Sequence, residues 1–440
     1  MKEELTINMM IRKLLQNKTL RNAGWIIGGR LVNKVLVFLV GVLTARYLGP
    51  GNYGLIDYAA AYTTFFASLC NLGINSVIIK NFVDHPEEEG CAIGTTLVLR
   101  LISSILSALT IIGIVRMVEG NEPTTILVVA LSTLGLLFQV FDTFKQWFQS
   151  RLQSKYAAIA TIIAYLAVSA YKVVLLVAGK SVVWFALGTS VDYIALAAVL
   201  LFAYKRCGGP KLSFSWKKAK ELLSVSSSYI LSGLMISIYA STDKLMLKQM
   251  LDETAVGYYG LAVALSTAWG FVLEAMIDSL YPTILKAYDK DKQLFAQRNR
   301  QLYALVIYMA AGVSLLICLL AEPIIRILYG EAYLPAVTPL RIVVWYTAFS
   351  YLGGARNAWI VCENKQKYLK YIYCGAAVIN VVLNFVMIPL WGTAGAALAS
   401  LTTQISTVVL MPLVIRPLRS NAKLMLEGLL LKGVLPGRKS

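Results

Sequence analysis

The chain has 440 residues, of which 58% are hydrophobic and 15% charged, with a mean hydropathy of +0.67 and a formal net charge of +18. A soluble domain is roughly half apolar and about a quarter charged, so this composition lies outside the globular range. The excess of Lys and Arg does not point to nucleic acid, because these residues fall in short gaps between long apolar runs rather than along one solvated face.

The first 22 residues carry Lys2, Arg12, Lys13, Lys18 and Arg21 and no small-residue cleavage site. They read as a cytoplasmic leader ahead of a retained first helix. A helix needs about 20 apolar residues to cross the hydrocarbon core, and that window places twelve spans. They fall at roughly 23–46, 52–73, 91–115, 124–148, 157–178, 181–204, 224–249, 254–280, 301–321, 336–361, 368–390 and 393–415. The expected fold is therefore all-α and polytopic, in two six-helix lobes at roughly 23–204 and 224–415. A basic cytoplasmic linker at roughly 205–223 joins them, and a tail at roughly 416–440 is too short and too charged to cross again. Within that tail, Leu424–Leu435 is expected to lie along the membrane surface.

Orientation follows from the basic residues. Segments on the side of the N-terminus hold 29 of the 41 Lys and Arg, the opposite side six, and the spans the remaining six. The positive-inside rule then places both termini in the cytoplasm. The sequence also repeats weakly. Gly51-Asn52-Tyr53-Gly54-Leu55 recurs as Gly257-Tyr258-Tyr259-Gly260-Leu261, and Trp147 with Lys155-Tyr156 recurs as Trp359 with Lys367-Tyr368. Both matches fall at equivalent places in the hydropathy plan. Two halves of even span number share one orientation, as in parallel-repeat transporters with a site between the lobes. Gly-Tyr and Trp are also common at membrane interfaces, which is the plainer reading.

Charges inside the spans supply the candidate site. An ionised residue at a helix centre costs about 2.5–3.5 kcal/mol on insertion scales, so it needs a partner or a wet cavity. Arg30 and Lys34 lie four residues apart on one face of the first span, continued by Gly41, Thr44 and Ala45, with Val32, Leu36, Leu39 and Leu43 opposite. Arg30 can snorkel to the interface, whereas Lys34 sits deeper. Lys172 and Arg356 are further cationic candidates, for which snorkelling or a structural ion pair is the alternative. Gln139, Asp142, Gln146, Asp192, Asp243, Lys244, Glu274 and Asp278 complete the polar set as cavity lining or counter-ion sites. At least six spans carry a polar stripe opposite an apolar one, which fits a wet cleft better than a closed bundle.

Chemistry of other kinds finds little support. The six cysteines form no CxxC pair, His85 is the only histidine, and no Walker A loop is present, so no metal site, cofactor or nucleotide-driven step is expected. Loops are short, no catalytic triad appears, and the chain reads as a transporter rather than an enzyme.

The segment Leu43-Thr44-Ala45-Arg46-Tyr47-Leu48-Gly49-Pro50-Gly51-Asn52-Tyr53-Gly54, with Asp243-Lys244-Leu245-Met246-Leu247 ahead of Gly257-Tyr258-Tyr259, resembles the Wzx-type polysaccharide flippases. These belong to the multidrug/oligosaccharidyl-lipid/polysaccharide exporter superfamily. The resemblance covers roughly residues 18–415. It implies two six-helix lobes around a V-shaped, alternately accessible cavity in a bacterial plasma (inner) membrane. It also implies a polyprenyl (undecaprenyl)-pyrophosphate-linked oligosaccharide as substrate, O-antigen-type surface polysaccharide biosynthesis as the setting, and membrane lipids, a polysaccharide polymerase and other envelope-assembly proteins as partners. On that reading Arg30 and Lys34 meet the pyrophosphate, helped by Lys172 or Arg356. The alternatives are a multidrug cation exporter of the same superfamily driven by H+ or Na+, which would want an acid-dominated cavity, and a membrane glycosyl polymerase or ligase, which would want a large outer loop.

Overall fold

A computed structural model of the chain describes the backbone of residues 18–434, and side chains from Lys34 onward apart from Ser76, Ser228 and Ser232. Every regular element among the described residues is helical. That is what hydrocarbon demands, since a spanning segment must satisfy its own backbone groups. In chain order the helices are α1 (Lys18–Cys70), α2 (Asn75–Asp84), α3 (Glu89–Glu119), α4 (Pro123–Gln139), α5 (Thr143–Ser150) and α6 (Ser154–Val177). They continue as α7 (Val182–Ala186), α8 (Gly188–Arg206), α9 (Trp216–Met250), α10 (Glu253–Thr267), α11 (Phe271–Lys290) and α12 (Lys292–Tyr329). The last are α13 (Val337–Ala355), α14 (Asn357–Cys362), α15 (Leu369–Ile405), a π-helical turn at Ser406–Leu410, α16 (Met411–Val414) and α17 (Arg419–Leu429).

Among the described residues, eight helical runs are long and apolar enough to cross a membrane, or nine when α10 and α11, bent by 42°, count as one. Two runs, Lys34–Cys70 and Gln366–Val414, contain 37 and 49 residues. Both exceed the roughly 20 residues one crossing needs. Each merges two of the spans expected from sequence. The first breaks at Gly49 (φ 70°, ψ 171°) and the second at Gly392 (φ 56°, ψ −131°). Gly49 precedes Pro50, whose ring pushes the preceding residue out of the α region, and glycine alone takes the positive φ without strain. The segment expected at 336–361 falls on α13 and the short α14, which do not meet the same length and apolarity test.

The chain divides into two compact units. One holds residues up to Tyr47 together with Ala59–Ser237, and the other holds Leu48–Tyr58 together with the residues from Ile238 onward. The first is built on packing of α3 on α4, α4 on α8 and α6 on α8. Its core gathers Ile74, Ile78, Phe82, Phe144, Trp147, Phe148, Leu200 and Tyr204. The second is built on α12 with α13, α13 with α15, and α10 with α13. Leu302, Tyr303, Val306, Trp359, Ile360 and Ile372 form its core. The repeated tryptophans Trp147 and Trp359 thus occupy the cores of different units, each buried and on a short helix.

The basic linker is docked. Within the first unit, Ser213 N donates to Gly90 O (3.3 Å) and Ser215 N to Thr95 Oγ1 (3.1 Å). A Cβ on Gly90 or Gly94 would come within 2.2 Å of Lys211 O or 2.3 Å of Ser213 O. Lys218, almost fully buried, donates to Glu88 (2.7 Å) and Glu221 (3.3 Å). In the second unit the tail helix α17 packs on α12 through Arg300–Glu427 (2.6 Å) and Asn421 Nδ2 to Tyr303 Oη (2.6 Å), leaving Leu426, Leu429, Leu430 and Leu431 exposed.

The two Gly-Tyr repeats meet each other inside the second unit. A Cβ on Gly54 would reach Glu253 O at 1.8 Å, and one on Gly257 would reach Pro50 O at 2.1 Å. Small residues of this kind let helix backbones approach in a membrane. Gly257→Ala should therefore lower thermal stability in detergent by about 1–3 kcal/mol, the usual cost of overpacking. Gly113→Ala, whose Cβ meets nothing within 4 Å, should not. Equal melting temperatures for the two variants would remove the seam.

The linker latch carries a pH signature. The hydrogen bond and charge of Lys218 hold the Glu88 carboxyl below its ordinary value of 4.5. Burial pulls the Lys218 ammonium down, but its bonds to Glu88 and Glu221 outweigh that and raise it above 10.5. A depressed acid contributes stability above its unfolded pKa and loses it as pH falls through the folded one. A raised amine contributes fully below its unfolded pKa and loses it as pH climbs through the folded one. The protection factor over residues 205–223, taken against the intrinsic exchange rate at each pH, should be flat between those limits and fall once pH drops below the ordinary carboxylate range. Protection that does not change on acidification would show that the ion pair does not hold the linker.

Candidate functional site

The second unit buries a carboxylate. Asp243 on α9 is 5% exposed. It accepts hydrogen bonds from Tyr259 Oη on α10 (2.5 Å), from Asn380 Nδ2 (3.0 Å) and Asn384 Nδ2 (2.6 Å) on α15, and from Ser400 Oγ further along α15. Asn380 and Asn384 are one turn apart and share a face. Ser400 lies beyond the Gly392 break, and that break lets one helical run present residues from both of its arms to the same carboxylate. Tyr259 Oη and Ser400 Oγ are themselves 3.0 Å apart, and Asn384 Oδ1 is buried with no partner among the described residues.

The next residue, Lys244, does not neutralise Asp243. Its ammonium donates to Asp57 Oδ2 (3.0 Å), and both partners are largely buried. Asp243 makes no ion pair among the described residues, and all its partners are neutral. A carboxylate met only by neutral donors suits a bound cation, because neutral donors offset only part of the desolvation of a charge. Among the described residues no three His, Cys, Asp or Glu side chains gather as a metal site. One carboxylate with amide and hydroxyl oxygens fits a monovalent ion better than a divalent one.

Other expected residues fall as follows. Arg356 is buried in the second unit, its Nη1 donating to Thr407 O (3.0 Å). Glu274 is half-buried and accepts from Tyr351 Oη (3.4 Å), while Asp278 is exposed. In the first unit Asp142 pairs with Lys145 (2.9 Å), and Gln146 meets Asn75 at 2.8 Å. Asp192 is half-buried and feels the positive charges of Lys145 and Lys172, and the stem of Lys172 lies over Gly188. Gln139 is buried with Oε1 unpartnered among the described residues. Lys34 is half-buried on the face continued by buried Thr44 and Ala45, with Leu39 and Leu43 exposed opposite. The side chain of Arg30 lies outside the described residues.

Sequence reasoning passed over several participants. Tyr259, Asn380, Asn384 and Ser400 are single neutral residues in apolar runs and stand out only once Asp243 is placed among them. Arg100 lies inside the span expected at 91–115. It is 1% exposed and donates to Asn75 Oδ1 (2.5 Å) and Thr143 Oγ1 (2.8 Å). Buried Glu89 accepts from Trp147 Nε1 (2.8 Å) and Arg151 (2.6 Å), which ties α3 to α5.

The family model described as "Polysaccharide biosynthesis protein" matches residues 19–288. A putative O-antigen transporter of Escherichia coli (strain K12) is 20% identical over 399 residues, covering 87% of this chain and 93% of that protein. The capsular polysaccharide biosynthesis protein CapF of Staphylococcus aureus is 20% identical over 397 residues, covering 88% and 97%. Among solved structures, an inward closed conformation of the lipid II flippase MurJ superposes with a TM-score of 0.70 at 15% identity, covering 92% of this chain and 91% of that one.

The carboxylate site makes a direct prediction. Cation binding to the folded state raises the melting temperature with ion concentration. In detergent, the wild-type melting temperature should therefore rise with added Na+. Asp243→Asn, which keeps the shape and removes the charge, should fold and lose that response. A variant that still responds like wild type would place the ion elsewhere.

Proposed function

We propose that this chain, which belongs to the polysaccharide biosynthesis protein family, is a flippase for lipid-linked oligosaccharides. It carries a polyprenyl-pyrophosphate-linked repeat unit from the inner to the outer leaflet of a bacterial plasma membrane. In this reading the chain crosses the membrane twelve times with both termini in the cytoplasm, and it is a transporter rather than an enzyme. Polysaccharide polymerase and other envelope-assembly proteins would work beside it.

The observation that carries the reading is a bilayer-spanning helical chain that keeps ionisable side chains within its helix bundles, in a family of surface-polysaccharide proteins whose relatives match it over nearly their whole length. A flippase must pass a sugar and pyrophosphate headgroup through the hydrocarbon while the lipid tail stays behind. Lys and Arg offset the desolvation of phosphate oxygens. Arg30 and Lys34 are the pyrophosphate contacts in this proposal, with Lys172 on α6 as a helper. Among the described residues no carboxylate pairs with Lys34, so its charge is available to a ligand. Asp243 with Asn380, Asn384 and Ser400 would hold a coupling monovalent cation, and Asp142, Asp192 and Glu274 serve as internal counter-charges. With an inside-negative potential, moving roughly two negative charges outward is favoured by on the order of 5 kcal/mol per 100 mV.

Loss of the gene should leave single lipid-linked units on the inner leaflet. Single units on the outer leaflet would instead indicate a polymerase, and drug sensitivity alone an exporter. At matched protein levels Lys34→Ala should reduce surface glycan about tenfold or more. Export at the wild-type rate would remove Lys34 from the pyrophosphate site.

A further inference from the structure

A cavity of about 110 Å³ lies wholly within the second unit, and Arg356 lines it. Around it stand Tyr239 of α9, Ser350 of α13, Asn357 of α14, Tyr373 and Gln404 of α15, and Thr407 of the π-helical turn. Arg356 is 4% exposed and has one hydrogen bond, from Nη1 to Thr407 O. Its Nε is buried without a partner, and among the described residues no carboxylate reaches it. A guanidinium offers five donors in a planar fork, and its Nε–Nη2 edge matches the two oxygens of a carboxylate or phosphate. That edge is the one the protein leaves unused. A buried cation with most of its donors unanswered is costly unless a ligand completes it. The π-helical turn beside it is a further sign of a working site, since such turns are uncommon and gather where function needs them.

We propose that this cavity is a binding subsite for one singly charged oxyanion on a saccharide, a sugar carboxylate, held by the Arg356 guanidinium. The charge balance selects the ligand. Arg356 is the only charged residue lining the cavity among the described residues, so it matches one negative charge. A pyrophosphate would bring surplus charge with no second base to meet it. The Tyr239 and Tyr373 hydroxyls and the Asn357 and Gln404 amides supply hydrogen bonds for ring hydroxyls adjacent to a carboxylate. The volume admits the charged end of one sugar and not a whole repeat unit. This subsite rests on the flippase reading for the source of its saccharide, but its ligand binding is measurable without any flipping.

The test uses the full chain in lipid nanodiscs, titrated separately with glucuronate, glucose and inorganic phosphate and followed by thermal shift or calorimetry. Glucuronate should bind saturably, glucose should not, and phosphate should bind at least about tenfold more weakly. Arg356→Gln should weaken glucuronate about tenfold or more. Arg356→Lys should fall nearly as far, because an ammonium cannot take two oxygens as a fork. Gly354 also lines the cavity and its Cβ would meet nothing within 4 Å, so Gly354→Met should block glucuronate while leaving Arg356 in place. That variant carries the test if the arginine substitutions do not fold. Equal binding of glucuronate and glucose, phosphate binding as tightly as glucuronate, or unchanged affinity in Gly354→Met or Arg356→Gln would each overturn the proposal. Normal glucuronate binding in a protein that moves no lipid-linked glycan would sink the flippase reading and leave the subsite standing.

Discussion

The structure depends on what becomes of each ionised group once it leaves water. In hydrocarbon a charge is tolerated only when something offsets its lost hydration. The chain uses three arrangements. Lys244 with Asp57, Asp142 with Lys145 and Glu89 with Arg151 are opposite charges in contact. Asp243 is an acidic side chain surrounded by neutral donors, and Arg100 and Arg356 are cations whose hydrogen bonds go only to neutral acceptors. Contact pairs hold helices together and leave nothing over for a ligand. The incompletely balanced groups are where a mobile ion or a passing substrate finds unspent interaction.

Irregular backbone builds those sites. The Gly392 break divides α15, so Asn380 and Asn384 on one arm and Ser400 on the other reach the same carboxylate. The π-helical turn after α15 brings the Thr407 carbonyl to Arg356. Non-helical backbone at membrane depth survives only where protein or a polar cavity surrounds it. The π-helical turn satisfies that condition, since it lies beside buried polar side chains, whereas the Gly392 break falls between the spans expected at 368–390 and 393–415. The Gly49-Pro50 break is of another kind. It serves packing, because it precedes the stretch where Gly54 meets the backbone of α10 and Gly257 meets Pro50.

Much of this was legible in the sequence, and the reasons for the rest are physical. Long apolar runs disclosed an all-helical membrane chain because hydropathy integrates over about 20 residues and tolerates local error. Helix breaks left a weaker mark. Gly-Pro at 49–50 is a readable signal, whereas Gly392 follows Pro389 at a distance that does not announce a turn. The repeated Gly-Tyr motif was visible as a pattern, but that its two copies touch could not be, since contact is a property of the fold. Asp243 was singled out by its charge. Its partners Asn380, Asn384, Ser400 and Tyr259 were invisible, because a lone amide or hydroxyl in an apolar helix is ordinary until a carboxylate is placed beside it. Arg356 was marked as a candidate, yet only coordinates reveal that its guanidinium edge is vacant of protein partners and that a cavity adjoins it.

The carboxylate and arginine sites are stacked along the same helices. Tyr239 lines the arginine cavity and Asp243 follows it by one turn of α9, while Gln404 lines the cavity and Ser400 precedes it by one turn of α15. Tyr373 and Asn380 are two turns apart on the other arm of α15. Residues at such spacings share a helix face, so a displacement of α9 or α15 shifts both sites together. Any ligand that favours one position of α15 must then change affinity at the other site, and by reciprocity the second ligand acts on the first by the same factor. An anion site and a cation site built on one pair of helices have the geometry that thermodynamic coupling requires. Sites on separate, independently moving elements would lack it.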